Sequence, residues 1–104
     1  MSIISEMRDA VPRGVRIGVV GTGHLGSLHA KMLHDIGTAD LAGVFDTDPE
    51  KSRAVARATG TKAFGSLGKL IGEVDAVCLA TPTSTHAGIA LEAVRAGKHV
   101  FIEK

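Results

Sequence analysis

The fold is decided by the stretch VRIGVVGTGHLG at residues 15–26. Its first half, Val15 to Val20, is short, rich in β-branched residues and bounded by glycine, which predicts a buried strand of a parallel sheet. The second half, residues 21–26, fits the pattern G-x-G-x-x-G and leads into apolar positions at helical spacing. A strand, three spaced glycines and a helix in this order predict a phosphate-binding turn.

Each glycine of this turn has a physical reason. Gly21 permits the tight turn out of the strand, Gly23 lets the backbone approach a pyrophosphate, and Gly26 lets the helix pack against the strand. The free amides of the first helical turn are expected to point at the phosphates, aided by the positive end of the helix dipole. We therefore predict that the whole turn binds a cofactor: Gly21, Thr22, Gly23, His24, Leu25 and Gly26.

The rest of the sequence alternates between strand-like and helix-like segments. Strands are predicted at residues 15–20, 41–45, 62–64, 76–80 and 99–102, and helix starts at Asp48-Pro49, at Ser66 and within residues 81–85. This alternation predicts an α/β fold, a doubly wound parallel sheet of strand order 3-2-1-4-5 between two layers of helices, which is a Rossmann fold. We expect an N-terminal arm at residues 1–13 and the domain at residues 14–104.

Apolar spacing predicts which faces of two helices are buried. For the first helix, which Gly37 is expected to end, the predicted inner face is Leu25, Leu28, Met32, Leu33 and Ile36. For the last helix, which Gly97 is expected to end, the predicted inner face is Ala87, Ala90, Leu91 and Val94.

Asp46 follows the second predicted strand, 20 residues after Gly26. A carboxylate there can accept hydrogen bonds from both hydroxyls of an adenosine ribose and would repel a 2′-phosphate, so it favours NAD over NADP. Thr47 is expected to contact the cofactor beside it. Arg53 is the residue that could instead turn toward a phosphate. The alternative for Asp46 is a solvated turn acid, whereas Asp48 is expected to cap a helix.

Composition excludes several classes of protein. A length of 104 residues is sufficient for one domain. The net charge of +1, the lack of Trp and Tyr and the lack of a Lys/Arg cluster argue against a nucleic-acid partner. No apolar run predicts a membrane span, no secretory signal is expected, and no metal site is predicted. Cys78 cannot form an internal disulfide, which suits a reducing cytoplasm, and it is expected to be a small buried hydrophobe.

Four motifs together resemble a known family. Residues 21–29 read G-x-G-x-x-G-x-x-H, and residues 46–51 lead from an acid into D-P-E-K. Residues 81–86 read T-P-x-x-x-H, and A-G-K-H-V at residues 96–100 leads into E-K at residues 103–104. These motifs cover nearly the whole chain after the arm. They resemble the N-terminal domain of the Gfo/Idh/MocA oxidoreductases, and the last two are far more specific than the first.

The resemblance implies further roles. It places Thr81 and Pro82 beside the nicotinamide, and it makes Lys104 the catalytic group that helps deprotonate a substrate hydroxyl as hydride leaves. Glu103 would hold this lysine or the cofactor ribose. For His86, packing under the loop and contact with cofactor or substrate remain equal alternatives. His29 is expected to pack between helix and sheet.

The resemblance also implies the activity of a longer parent protein. That parent would be an NAD-dependent, cytoplasmic, homo-oligomeric dehydrogenase acting on a sugar, cyclitol or sugar-nucleotide hydroxyl. Its C-terminal substrate domain is expected to follow Lys104, so the present chain is expected to be inactive by itself. One alternative is a non-catalytic dinucleotide-sensing or interaction module. Another is an S-adenosylmethionine-dependent methyltransferase, which the glycine spacing, the T-P-x-x-x-H loop and the terminal E-K argue against.

Overall fold

The computed structural model describes residues 14–36 and 39–102. The predicted arm, Gly37 and the pair Glu103-Lys104 lie outside the described residues. Within them, no helix is long and apolar enough to cross a membrane. In chain order the elements are β1 (Arg16–Val20), α1 (His24–Ile36), β2 (Asp40–Phe45), α2 (Pro49–Thr59), α3 (Leu67–Glu73), β3 (Ala76–Leu79), α4 (Thr83–Arg95) and β4 (His99–Ile102).

The strands form one parallel sheet of order β2-β1-β3-β4. Strands β1 and β3 lie at the centre of the sheet, with β2 beside β1 at one edge and β4 beside β3 at the other. The predicted doubly wound class is therefore confirmed. The predicted third strand at residues 62–64 is reduced to one parallel bridge between Val44 and Ala63, beside β2. Gly60 ends α2 and Ser66 caps α3, so residues 61–65 connect these two helices.

Alternating residues of the central strands supply two cores on opposite faces of the sheet. Helices α1 and α2 cover one face, and α3 and α4 cover the other. The first core consists of Ile17, Val19, Ala30, Leu33, Val44, Ala56, Ala76 and Cys78. The second consists of Val20, Leu70, Ile71, Val74, Val77, Leu79 and Ala93. The result is the predicted three-layer α/β/α arrangement, with Cys78 buried as expected.

Helix caps follow local sequence chemistry at α2 and α3 but not at α4. The Asp48 carboxylate accepts from the Glu50 amide at 3.0 Å, and the Ser66 hydroxyl accepts from the Lys69 amide at 3.2 Å. At α4 the residue in the N-cap position is Pro82, which provides no side-chain hydrogen bond. The expectation that a hydroxyl within residues 81–85 caps this helix is wrong, because Thr85 Oγ1 instead donates within the loop.

The predicted inner face of α1 is wrong at Leu25 and Leu28, whereas Leu33 is buried and Met32 and Ile36 pack against the first core, as predicted. Leu25 and Leu28 are 46% and 47% exposed, and the buried residues are Gly26, His29, Ala30 and Leu33. The last three lie three, four and seven positions after Gly26, so they share its face. Because Gly26 must lie against the Gly21 carbonyl, it sets the rotation of the helix, and Leu25 and Leu28 turn outward. His29 lies on this buried face, as its packing interpretation requires.

The predicted inner face of α4 is wrong at three of its four positions, and of the four only Ala90 packs on the sheet as predicted. Leu91 and Val94 are 49% and 59% exposed, and Ala87 is also exposed. The residues that pack on the sheet are Ile89, Ala90 and Ala93. These lie three, four and seven positions after His86, whose ring bonds to the preceding loop. His86, which makes this polar contact near the start of α4, therefore lies on the same face of the helix as the residues that pack on the sheet.

Candidate functional site

A cavity of about 400 Å³ opens at the carboxyl ends of β1, β2 and β3. It lies where the strand order reverses, between β1 and β3, which is where open α/β sheets bind ligands. One wall is the glycine turn, a second follows β2, and a third is the loop and first turns of α4. The lining residues are Val20, Gly21, Gly23, Phe45, Asp46, Thr47, Lys51, Ala80, Thr81, Pro82, Thr85 and Ile89.

Two glycines of the turn are required by the protein itself. Gly21 has a φ of 96°, in the left-handed region that favours glycine, and its amide donates to the Phe45 carbonyl at 2.8 Å. A Cβ built on Gly26 would lie 1.6 Å from the Gly21 carbonyl oxygen. Helix α1 therefore begins directly against the turn, and no side chain fits between them.

Gly23 lines the cavity and differs from Gly21 and Gly26 because an added side chain there would meet open space. A Cβ built there would meet no heavy atom of the described chain within 4 Å. The Gly23 carbonyl accepts from the Ser27 amide at 2.9 Å, which is the first hydrogen bond of α1. The amides of His24, Leu25 and Gly26 thus precede the intrahelical ladder, at the positive end of the helix. This end of the cavity can bind an anion closely.

The Asp46 carboxylate connects the glycine turn to the loop after β2. Its Oδ2 accepts two hydrogen bonds from Thr22, one from the amide at 2.7 Å and one from the hydroxyl at 3.0 Å. Its Oδ1 accepts from the Asp48 amide at 2.8 Å. Thr22 is only 4% exposed, so its side chain is buried behind the turn. A solvated turn acid would not have this set of partners.

These contacts determine the charge of Asp46. Burial raises the pKa of the carboxyl, but the hydrogen bonds from the Asp48 amide and from the amide and hydroxyl of Thr22, together with the charge of Lys51, outweigh burial. The pKa of Asp46 therefore lies below its ordinary value. At neutral pH the group is a carboxylate, which accepts hydrogen bonds from a diol and repels a phosphate.

The opposite wall is held by side chains of α4. The Thr85 hydroxyl donates to the Pro82 carbonyl at 2.7 Å and lies 2.8 Å from Thr81 Oγ1. His86 Nε2 lies 2.7 Å from the Thr81 carbonyl oxygen, so the ring donates when Nε2 carries a proton. Both contacts fix the Thr81-Pro82 loop from below. A direct contact between His86 and a cofactor remains a prediction.

The structure brings six of the thirteen predicted site residues to the cavity wall: Gly21, Gly23, Asp46, Thr47, Thr81 and Pro82. Thr22 and Gly26 are buried within the glycine turn, and His24 and Leu25 are exposed at the start of α1. The His86 ring contacts the Thr81 carbonyl of the loop. Glu103 and Lys104, predicted to act on substrate or cofactor, lie outside the described residues.

Sequence reasoning missed six lining residues: Val20, Phe45, Lys51, Ala80, Thr85 and Ile89. A signal existed for most of them. Val20 and Phe45 end neighbouring strands, Ala80 follows the next strand, and Thr85 and Ile89 are four residues apart on one helix. The cation beside Asp46 is Lys51. Arg53 instead lines a second cavity of about 350 Å³ on the other side of Asp46.

The donors and acceptors of the first cavity fit a dinucleotide. Gly23 and the start of α1 suit a pyrophosphate, and the Asp46 carboxylate suits a ribose hydroxyl. Side chains such as Phe45 and Ile89 provide apolar surface for a planar base.

The sequence matches the family model described as the oxidoreductase family with an NAD-binding Rossmann fold, Gfo/Idh/MocA, over residues 15–104. The chain belongs to this family. The family and the fold predicted from the four motifs are confirmed, and so is NAD as the predicted cofactor.

Individual relatives show the same relationship. The chain is 48% identical over 90 residues to UDP-N-acetylglucosamine 3-dehydrogenase of Acidithiobacillus ferrooxidans, covering 86% of this chain and 28% of the relative. It is 37% identical over 92 residues to inositol 2-dehydrogenase of Rhizobium meliloti, with the same two coverages. The crystal structure of GenD2 from gentamicin A biosynthesis, in complex with NAD, superimposes with a TM-score of 0.81 at 32% identity. That superposition covers 88% of this chain and 29% of GenD2. The chain thus spans less than a third of each relative.

Proposed function

We propose that this chain is the dinucleotide-binding domain, residues 14–104, of a cytoplasmic NAD-dependent dehydrogenase that acts on a hydroxyl of a sugar, cyclitol or sugar nucleotide. The observation that carries the proposal is the cavity at the strand switch point, bounded by Gly23 and the Asp46 carboxylate. The names of the relatives support the substrate class, because one acts on a sugar nucleotide and another on inositol. A separate substrate domain and self-association of the whole protein belong to the same proposal.

The described residues divide the work of binding. Gly23 and the first amides of α1 hold the pyrophosphate, Asp46 accepts from the adenosine ribose, and the Thr81-Pro82 loop forms the far wall. NAD supplies the acceptor for a hydride. The protein's part in these contacts is to fix the dinucleotide in one pose, which lowers the entropic cost of the transfer.

The proposed catalytic group is Lys104, with Glu103 as its support. A lysine amine could accept the proton of a substrate hydroxyl, and NAD, when bound, would supply the acceptor for the hydride. In the full-length protein, Lys104→Ala should abolish most turnover and leave NADH affinity within a few fold. The measurement is a steady-state rate together with an NADH titration. Unchanged turnover would remove Lys104 from the chemistry, whereas NADH binding without any turnover of the wild-type protein would favour the alternative of a non-catalytic dinucleotide sensor.

Binding itself can be tested on the 104-residue chain. The chain contains no Trp and no Tyr, so NADH fluorescence can be followed with little protein background. We expect saturable NADH binding and weaker NADPH binding. Gly23→Ala should weaken NADH by at least about tenfold without loss of stability, because the added Cβ would occupy the place of a phosphate.

The matched control is Gly68→Ala, on α3, where an added Cβ also meets no described atom within 4 Å. This variant should bind NADH like the wild type. A folded chain that binds neither nucleotide would contradict the proposal. Preference for NADPH would contradict the role given to Asp46 and would direct attention to Lys51.

A further inference from the structure

Most of the hydrogen-bonding capacity of the Asp46 carboxylate is used within the protein. A carboxylate offers about four lone-pair sites, two on each oxygen. Thr22 occupies both sites of Oδ2 with its amide and its hydroxyl, and the Asp48 amide occupies one site of Oδ1. Among the contacts of the described residues, this leaves a single site on Oδ1 for a ribose hydroxyl. The simple expectation that both ribose hydroxyls bind Asp46 does not fit this arrangement.

We propose that Thr22 is a positioning residue for cofactor selectivity, whose buried hydroxyl holds Oδ2 of Asp46 so that Oδ1 serves the ribose. The inference rests on the proposed function, since it concerns how the same site distinguishes NAD from NADP. The amide of residue 22 is present whatever the side chain, but the second bond to Oδ2 requires a hydroxyl. Thr22 therefore adds something that the G-x-G pattern does not specify.

The surroundings of Thr22 keep this hydroxyl in place. The Thr22 side chain is buried, and its own carbonyl accepts from the Ser27 hydroxyl at 2.9 Å. The residues that precede Thr22 and Asp46 are also joined, because the Gly21 amide donates to the Phe45 carbonyl. Both ends of the Thr22–Asp46 contact thus belong to rigid backbone segments. Without the hydroxyl, the Asp46 carboxylate can rotate. Its negative charge is then held less firmly at the position where it would repel a 2′-phosphate.

The test measures NADH and NADPH dissociation constants for Thr22→Val and Thr22→Ser. Valine keeps the shape of threonine without the hydroxyl, and serine keeps the hydroxyl. We expect Thr22→Val to weaken NADH binding by about threefold to tenfold, as for loss of one hydrogen bond to a charged group. The ratio of NADPH to NADH dissociation constants should fall by a similar factor. Thr22→Ser should stay within about twofold of the wild type.

A double-mutant cycle shows whether Thr22 acts through Asp46. Asp46→Ala should by itself weaken NADH binding and reduce the preference of the protein for NADH over NADPH. When Thr22→Val is added to Asp46→Ala, the ratio of the two affinities should not change further. A general effect of Thr22 on loop structure would instead reduce the affinity for both nucleotides in either background.

Several results would overturn the inference. One is an unchanged NADH preference in Thr22→Val with a wild-type circular-dichroism spectrum, and another is tighter NADH binding, which would make the hydroxyl a competitor of the ribose. Thr22→Ala gives the same comparison with a smaller side chain if the valine variant does not fold. Wild-type chain that binds neither nucleotide would refute the proposed function, and this inference with it. Wild-type selectivity that survives in Thr22→Val would refute the inference alone.

Discussion

The two sides of the cavity are built differently. On the glycine-turn side, the contacts are made by backbone and by buried groups: Gly26 against Gly21, and Asp46 against Thr22. On the opposite side, residues 81–89 are mostly exposed and are joined by hydroxyl and imidazole side chains. A single pair of helix glycines shows the contrast. Gly26 of α1 leaves no space for a Cβ, whereas Gly88 of α4 has no described atom within 4 Å of one.

The difference indicates which parts of the site tolerate change. The geometry of the turn side is required for the sheet and α1 to join at all, because Gly26 lies directly against the Gly21 carbonyl. Apart from Ile89, which packs against the second core, the residues of the loop side can change without disturbing the core, because they are exposed or contact each other. Substitutions should therefore affect stability on the first side and mainly local order on the second.

The largest expected effect is that of Gly26→Ala. The added methyl would overlap the Gly21 carbonyl, so backbone must move, and we expect the free energy of unfolding to fall by at least about 3 kcal/mol. Urea denaturation followed by circular dichroism measures this. The control, Gly88→Ala, should raise the free energy of unfolding by roughly 0.5–1 kcal/mol, as alanine replaces glycine within a helix. Equal effects at the two positions would show that the two sides do not differ.

A smaller effect is expected for Asp46→Asn, and it depends on pH. Because the folded pKa of Asp46 is lowered, the carboxylate stabilises the fold above its unfolded pKa of about 3.9, and this contribution is lost as the pH falls through the folded pKa. At pH 7 the variant should be less stable by about 2 kcal/mol.

The difference in stability between wild type and Asp46→Asn should begin to shrink below about pH 4, where the carboxyl of the unfolded chain gains its proton, and should shrink further as the pH falls through the lower folded pKa. Denaturation at pH 7, 5 and 3 measures the trend. Asp40→Asn, at an exposed position, serves as the matched control. A difference that stays constant from pH 7 to pH 3 would mean that the charge of Asp46 does not stabilise the turn.

The smallest expected effect is that of His86→Leu on the loop side. It removes the donor to the Thr81 carbonyl and should cost about 1 kcal/mol of stability, as for one neutral hydrogen bond. His86→Gln retains an N–H donor and should lose less. NADH affinity is measured in parallel. A loss of affinity much larger than the loss of stability, in both variants, would support direct contact between His86 and the cofactor.

Local chemistry made part of the site predictable. The G-x-G-x-x-G turn and the caps Asp48 and Ser66 were all placed correctly, because each depends on residues a few positions apart. The fold class also followed, since alternating strands and helices permit few topologies. The length of the third strand was overestimated, because only Ala63 of the predicted segment forms a bridge, and a local pattern does not show how far two distant segments pair.

The sequence by itself determined the glycine turn, the acid after β2 and the family to which they belong, because these are short-range patterns of backbone conformation and spacing. The tertiary structure decided which helix faces are buried and what Asp46 binds. Apolar spacing placed Leu28 and Leu91 inside, but the rotation of a helix is set by where its closest contact falls. The Thr22–Asp46 contact joins residues 24 positions apart, and only the pairing of β1 with β2 brings them together.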